Sequence, residues 1–194
     1  MTLIDFDGTI VDLWRRYHAV FCTLTNARID LQTYKKAKQT HKRDEDLAQY
    51  LGLTLPEDYF PRKAVLLEAP AYLALDQLLV DPEQLLRFME RHDARILTAR
   101  RQPAHFLWEL ERLGLSSLCS SAVCVSGPKA KWVERNVKGE GVIIGDDVKD
   151  LQAAATAKLH AVMVLTGLYT AEDFRGTGLP HMLVQSLQEY MDRG

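Results

Sequence analysis

Two groups of aspartates follow apolar runs at distant points of the chain. Asp5 and Asp7 come after the first apolar run and precede a Gly-Thr pair, and Asp146 and Asp150 come after a later one. Carboxylates that lie close together cannot all stay ionised without a cation, and a set of oxygen ligands favours Mg²⁺. The pattern therefore predicts a Mg²⁺ site at which carboxylates act on an anionic substrate.

Phosphoryl transfer is the reaction that suits these residues. Asp5 would attack phosphorus and form an aspartyl-phosphate, a known use of a carboxylate nucleophile. Asp7 would protonate the leaving alcohol and then activate water. Thr98 and Lys129, which follow two further apolar runs, would hold the phosphoryl oxygens.

Further substrate contacts are expected in the loops beside these residues. Backbone N–H groups after the first and second strands would bind phosphoryl oxygens, at Gly8, Thr9, Ala99 and Arg100. Arg15 and Arg16 follow the first loop and are also candidates for substrate binding. An arginine pair on an amphipathic helix is, however, more often solvent-exposed than functional.

Short apolar runs that alternate with amphipathic segments must position these residues. The runs lie at residues 3–6, 94–99, 122–125, 141–144, 161–165 and 181–184. This alternation predicts an α/β fold with a doubly wound, Rossmann-like parallel sheet. Because the carboxyl ends of parallel strands gather at one edge of such a sheet, the carboxylates, the hydroxyl and the ammonium would meet there.

The sequence pattern of residues 12–92 differs from that of the rest of the chain. This stretch has many charges, no strand-like runs and apolar residues at helical spacing. The stretch is too long for a simple crossover connection and long enough for a small bundle. We therefore predict a core domain formed by residues 1–11 and 93–194. A small all-helical cap, residues 12–92, would be inserted after the first strand.

Two lysines, Lys129 and Lys131, compete for the phosphate-binding role. A helix that begins near Pro128 would place Lys129 on the same face as Trp132 and Val133. Since these two apolar residues should face the sheet, Lys129 could reach over the edge of the sheet. This spacing favours Lys129 and leaves Lys131 as the alternative.

Composition argues against several other functions. The net charge of −2 and the pI near 6.3 provide no basic field for nucleic acid. No apolar stretch is long enough for a membrane span, and the first residues lack the pattern of a signal peptide. Three cysteines without metal-ligand spacing are typical of reduced thiols, so we expect a cytoplasmic location. The expected partner is a small phosphorylated substrate, and the expected state is a monomer or homodimer.

The same residues resemble the motifs of the haloacid dehalogenase superfamily, phosphatase branch. Residues 5–12, which read DFDGTIVD, are similar to its first motif, and residues 145–150, which read GDDVKD, are similar to its fourth. Thr98 and Lys129 stand in the order of the second and third motifs, and the helical insertion lies where the type 1 cap lies. The third motif often reads lysine-proline, whereas Pro128 here precedes the lysine.

The resemblance implies specific roles for the aspartates. Mg²⁺ would be held by the carboxylates of Asp5 and Asp146 and by the main-chain carbonyl of Asp7. Asp150 would bind the metal directly or support the other ligands. The implied activity is Mg²⁺-dependent hydrolysis of a small phosphate monoester through an aspartyl-phosphate, as in phosphoglycolate-phosphatase-like members.

Two alternatives stay open at this point. A phosphosugar mutase of the β-phosphoglucomutase type uses the same aspartyl-phosphate, although the histidine of such mutases is one residue out of register with His18. A non-catalytic phosphate-binding protein is less favoured because no acid of the set is missing. A response-regulator receiver domain is excluded, because its acids, threonine and lysine occur on strands in a different order.

Overall fold

The computed structural model describes residues 1–193, which form two compact units. The first, the core unit, consists of Met1–Asp12 and the chain from Gln77 onward. The second, the helical unit, consists of Leu13–Asp76. Each unit has its own secondary structure and its own buried side chains.

A parallel six-stranded sheet forms the centre of the core unit. Its strands are β1 (Thr2–Ile4), β4 (Ala94–Thr98), β5 (Ala122–Cys124), β6 (Val142–Gly145), β7 (His160–Val164) and β8 (Met182–Val184). They lie side by side in the order β5-β4-β1-β6-β7-β8. The predicted α/β fold is confirmed, and all six predicted strands are present within two residues of their expected ends. Because β1 lies between β4 and β6, the strand order reverses there, where ligands of such sheets bind.

Helices cover the sheet of the core unit on both faces. They are α6 (Pro82–Arg91), α7 (Pro103–Arg112), α8 (Lys129–Asn136), α9 (Val148–Ala157), α10 (Ala171–Gly176) and α11 (Leu187–Asp192), with a 3₁₀ turn at Ser116–Leu118. Adjacent strand residues point to opposite faces, so Ile4 lies in one apolar cluster and Leu3 in the other. Burial on both faces explains why the strands read as continuous apolar runs.

The boundary of the inserted segment differs from the predicted one at residue 92. Helix α6 belongs to the core unit, because Leu85 and Met89 are buried in the same apolar cluster as Ile96 of β4. Before it, the strand β3 (Gln77–Leu78) pairs antiparallel with β2 (Val11–Asp12), and no strand was predicted there. Helical spacing identifies the apolar face of α6 but does not say which apolar layer that face covers.

The helical unit consists of α1 (Trp14–Thr25), α2 (Leu31–Thr40), α3 (Asp44–Tyr50), α4 (Tyr59–Leu67) and α5 (Pro70–Leu73). The apolar residues that recur at helical spacing along α1 are mostly buried, including Val20, Phe21 and Leu24. The ring of Tyr34 lies 5.4 Å from that of Phe21, centroid to centroid. Aromatic packing between α1 and α2 therefore builds the centre of this unit.

A buried polar cluster surrounds Asp44 in the helical unit. The Asp44 carboxylate accepts hydrogen bonds from Lys38 Nζ at 2.5 Å, from Tyr59 Oη at 3.1 Å and from Lys63 Nζ. Burial acts to raise the pKa of Asp44, but Lys63 and Lys38 oppose it and the pKa is lowered overall. The carboxylate is therefore ionised and forms ion pairs with two ammonium groups.

Asp44→Asn is expected to lower the free energy of unfolding by about 3–5 kcal/mol, because it leaves the buried Lys38 ammonium without its anion. Asp46 is exposed on the same helix, and Asp46→Asn should change stability by no more than about 0.5 kcal/mol. The free energy of unfolding of both variants is measured by urea denaturation, monitored by circular dichroism. Equal stabilities would show that the cluster does not stabilise the unit.

Candidate active site

Three of the predicted aspartates lie together at the carboxyl ends of β1 and β6. Asp5 directly follows β1, and its N–H donates to the Ile144 carbonyl oxygen of β6 at 2.8 Å. Asp146 follows β6, and Asp150 lies in the first turn of α9. One carboxylate oxygen from each of the three acids lies within 4.8 Å of the other two. The structure thus brings Asp5 of the first acidic group together with both acids of the second.

Lys129 is the cationic residue that contacts this cluster. Its Nζ lies 2.5 Å from Asp5 Oδ1 and 2.8 Å from Asp150 Oδ1. Burial acts against the charged form, but Asp5 and Asp150 outweigh it and raise the pKa of Lys129 above its usual value. Lys131, by contrast, is exposed on α8. The structure therefore brings Lys129 to the acids and leaves Lys131 in solvent.

The start of α9 holds Asp150 in place. Asp147 is the N-cap, and its side chain accepts the Lys149 N–H at 2.8 Å. Asp150 Oδ2 accepts the Asp147 N–H at 3.3 Å, while its Oδ1 faces Lys129. This reciprocal capping orients the Asp150 carboxylate toward the cluster.

The charges of the cluster suit a divalent cation. Burial, with a further contribution from Asp150, raises the pKa of Asp5 to about 7 against the opposing effect of Lys129. Burial, followed by Asp5 and Asp150, raises the pKa of Asp146 well above its usual value. One ammonium does not balance three carboxylates, and the ligand atoms are all oxygens. Asp5, Asp146 and Asp150 are therefore residues that fit Mg²⁺.

Stability should depend on pH and Mg²⁺ together. Because the pKa of Asp5 is raised in the folded state, its favourable contribution is present at low pH and is lost as pH rises through about 7. Mg²⁺ binds the ionised carboxylates, which repel one another most at high pH. It should therefore raise the melting temperature more at about pH 8 than at about pH 5. Thermal denaturation with Mg²⁺ and with EDTA measures this, and Asp146→Asn is the control that should reduce the difference. An equal shift at both pH values would contradict the assignment.

Glycines permit the close approach of the acidic loops. Gly8 has φ +77°, and a Cβ there would overlap the Asp146 carboxylate, as would a Cβ at Gly167. Thr166, next to Gly167, donates its hydroxyl to the Gly8 carbonyl oxygen at 2.5 Å. Thr166 was not predicted as a site residue. The sequence did indicate this residue, because Thr166 follows the apolar run of β7 as the predicted site residues follow other strands.

The predicted backbone contacts in the first loop are not available for a phosphoryl group. The Gly8 N–H donates to the Val11 carbonyl oxygen at 2.9 Å, and the Thr9 N–H donates to that of Phe6 at 3.3 Å. Thr9 is also fully buried. These groups close the turn after β1, so the prediction that they bind substrate is wrong. A tight turn consumes its own N–H groups, which residue types alone do not reveal.

The second loop places its residues in three different environments. Thr98 is buried at the end of β4, and Ala99 is exposed. Arg100 is buried, and its guanidinium binds the Asp7 carboxylate through Nε at 2.7 Å and Nη2 at 2.8 Å. Arg100 was expected to offer its backbone N–H, whereas its side chain contacts the predicted acid–base residue.

The two candidate arginines of α1 also differ from each other. Arg15 is exposed, as expected for a charged residue on a helix. Arg16 is buried within the helical unit, where its Nη2 lies 3.2 Å from Asp76 Oδ2 and its Nη1 donates to the Leu67 carbonyl oxygen at 3.0 Å. The prediction that Arg16 binds substrate is therefore wrong, because its charge is committed to a buried ion pair.

Among the described residues, no helix is both long and apolar enough to cross a membrane. A search of curated protein sequences finds no match to the chain. A family model described as HAD-hydrolase-like matches residues 101–190. This match covers the chain from the second loop to α11.

Solved structures share the fold over nearly the whole chain. A protein described as a haloacid dehalogenase-like hydrolase from Bacteroides fragilis has a TM-score of 0.71 at 19% identity, covering 97% of this chain and 98% of its own. A predicted phosphatase from Clostridium acetobutylicum has a TM-score of 0.71 at 17% identity, covering 99% and 96%. A protein described as a β-phosphoglucomutase from Thermotoga maritima has a TM-score of 0.64 at 18% identity, covering 99% and 96%.

Proposed function

We propose that this chain, which is haloacid-dehalogenase-like in its family match and in its fold, is a Mg²⁺-dependent phosphomonoesterase. The observation that carries the proposal is the cluster of Asp5, Asp146, Asp150 and Lys129 at the carboxyl edge of the sheet. Such a cluster is suited to bind an anionic group beside a nucleophilic carboxylate. The proposed substrate is a small phosphorylated metabolite, and the proposed location is the cytoplasm.

Asp5 is the proposed nucleophile. Its Oδ1 accepts the Phe6 N–H at 2.7 Å and lies 2.5 Å from Lys129 Nζ, so that oxygen is held on two sides. The other carboxylate oxygen would attack phosphorus and form an aspartyl-phosphate. Fixing one oxygen limits the rotation of the side chain and keeps the attacking oxygen in place.

Lys129 and Thr98 are proposed to hold the phosphoryl group during the transfer. The ammonium of Lys129 already bridges Asp5 and Asp150, so it could offer a donor to a phosphoryl oxygen beside the nucleophile. Asp5, Asp146 and Asp150 would hold Mg²⁺, with the Asp7 carbonyl as the fourth group that the family resemblance implies. When bound, Mg²⁺ supplies charge neutralisation that lets a carboxylate approach an anionic ester.

Asp7 is the proposed general acid and base. Its carboxylate is 22% exposed, against 10% for that of Asp5, so it is the more accessible of the two to solvent and to a leaving group. It would donate a proton to the leaving alcohol and then accept one from the water that hydrolyses the aspartyl-phosphate. The short spacing to Asp5 keeps both steps at one site.

A phosphosugar mutase is the second candidate. The likeness in fold to the protein described as a β-phosphoglucomutase supports it, since such an enzyme would use the same nucleophile. Against it, His18 lies out of register, and its Nε2 is 2.8 Å from the Ile29 carbonyl oxygen within the helical unit. A mutase returns the phosphoryl group to substrate, so it would release little phosphate.

Phosphate release from a panel of phosphomonoesters tests the proposal. Wild type and Asp5→Asn are compared, each with Mg²⁺ and with EDTA. Release that requires both Mg²⁺ and Asp5 is the expected result. If no ester is hydrolysed while a phosphosugar is isomerised, the protein is a mutase and the phosphatase proposal is overturned.

A further inference from the structure

The Arg100 guanidinium is fixed on three sides in the core unit. Two of its nitrogens bind the two Asp7 oxygens at 2.7 and 2.8 Å, and Nη2 also donates to Glu109 Oε2 at 2.9 Å. Its central carbon lies 5.8 Å from the centroid of the Phe6 ring. The side chain of Arg100 is 4% exposed. The planar fork therefore has little freedom to turn away from Asp7.

Glu109 is an unusual residue for its position on α7. It is fully buried, on the same helical face as Phe106 and Leu110, which belong to the apolar core. The ring of Phe106 meets that of Phe6 edge-on, 4.9 Å between centroids. A carboxylate in such a layer is costly unless it is paired. Its ion pair with Arg100 gives this acid a partner, and it anchors the far side of the guanidinium.

We infer that Arg100, anchored by Glu109, is a positioning residue for the acid–base work of Asp7. The inference rests on the proposed function, because it concerns the orientation of the residue that would protonate the leaving alcohol. An aspartate turns about two side-chain bonds, and a two-point contact with a fixed guanidinium holds both of its oxygens. Each oxygen keeps a second lone pair, so Asp7 can still carry a proton toward a leaving group.

Two other roles for Arg100 make different predictions. A guanidinium that bound the phosphoryl group directly would be needed equally for every phosphate ester. A purely structural ion pair would, when broken, lower stability and reduce activity toward all esters alike. A positioning role affects the general acid alone, so its loss should depend on how much the leaving group needs a proton.

The test compares kcat/KM for two esters that differ in this need. The leaving group of glycerol phosphate is an alkoxide that requires protonation by the general acid, whereas that of p-nitrophenyl phosphate is a stabilised phenolate that hardly requires it. The ratio of the two kcat/KM values reports proton donation in the first transfer. The variants are Arg100→Gln, Arg100→Lys and Glu109→Gln. Exposed neighbours provide the matched controls Arg101→Gln and Glu111→Gln.

Arg100→Gln is expected to lower the glycerol-to-nitrophenyl ratio about 10- to 100-fold, part of the 10²–10⁴-fold contribution that is typical of general acids. Arg100→Lys keeps the positive charge but cannot form the two-point contact with Asp7. It should therefore lower the ratio less than Arg100→Gln does. Glu109→Gln should lower the ratio less than Arg100→Gln, and the two controls should leave it unchanged. Thermal denaturation of each variant checks folding, and Arg100→Lys and Glu109→Gln carry the test if Arg100→Gln does not fold.

Equal losses for both esters, or an unchanged ratio in folded Arg100 variants, would overturn the positioning role while the phosphatase proposal stands. Where wild type does not act on these two esters, the best alkyl and the best aryl ester of the panel replace them. If wild type releases no Asp5-dependent phosphate from any ester of the panel, the proposed function fails, and this inference fails with it. The wild-type measurement therefore separates the two failures.

Discussion

Asp5→Asn is expected to reduce phosphate release by roughly 10⁴-fold or more, the scale seen when a catalytic nucleophile is removed. The amide nitrogen and oxygen cannot form an acyl phosphate as the carboxylate does. The substitution should leave the fold intact, because burial raises the pKa of Asp5 and thus disfavours the charge that is removed. Lys129 keeps its contact with Asp150 at 2.8 Å.

The comparison needs a measure of folding beside the measure of turnover. Initial rates are taken with the best ester of the panel, and melting temperatures are taken on the same samples. Asp46→Asn, the same chemical change at an exposed position, is the matched control and should retain wild-type rates. Wild-type rates from purified Asp5→Asn would rule out this nucleophile. A large drop in melting temperature would attribute the loss to unfolding instead.

Asp7→Asn is expected to lower turnover by about 10²–10⁴-fold and to trap the covalent intermediate. With p-nitrophenyl phosphate the first transfer needs little proton donation, so Asp5 can still be phosphorylated. The second step then lacks the base that activates water. Acid quenching followed by intact-protein mass spectrometry should show a species heavier by one phosphoryl group.

Asp5→Asn and the double variant Asp5→Asn/Asp7→Asn are the controls for this trap. Neither has the nucleophile, so neither should gain mass. A phosphorylated species in either control would place the phosphoryl group on another residue. Rapid turnover by Asp7→Asn, with alkyl and aryl esters alike, would show that Asp7 is not the acid–base residue.

The sheet could be predicted from the sequence because it rests on short-range signals. Strands buried on both faces appear in the sequence as apolar runs. The helices between them indicate that the strands run parallel. The cluster of Asp5, Asp146 and Lys129 followed from the rule that polar residues after such strands share one edge. These predictions needed no knowledge of individual side-chain contacts.

Apart from the N–H groups of the first turn, the differences concern residues whose environment is set by a distant partner. Arg16 was a candidate for substrate binding or else for a solvent-exposed helix face, but Asp76, far along the chain, lies 3.2 Å away in the buried interior of the helical unit. Glu109 was not singled out, because an acid on a helix is usually solvated. The sequence did indicate that Glu109 is unusual, because it lies three residues after Phe106 on the apolar face of its helix. Its partner Arg100, however, is visible only in three dimensions.

The antiparallel pairing of β2 with β3 has a consequence for how the core unit tolerates its insertion. Asp12 and Gln77, the last and first residues of the core on either side of Leu13–Asp76, are cross-strand neighbours. A flexible loop of that length would cost about 4 kcal/mol of closure entropy. A folded insert whose two ends already stand side by side avoids most of this cost. The paired strands β2 and β3 thus form a fixed attachment point for the insert. Inserts of different length could replace the helical unit in evolution without changing the register of the sheet.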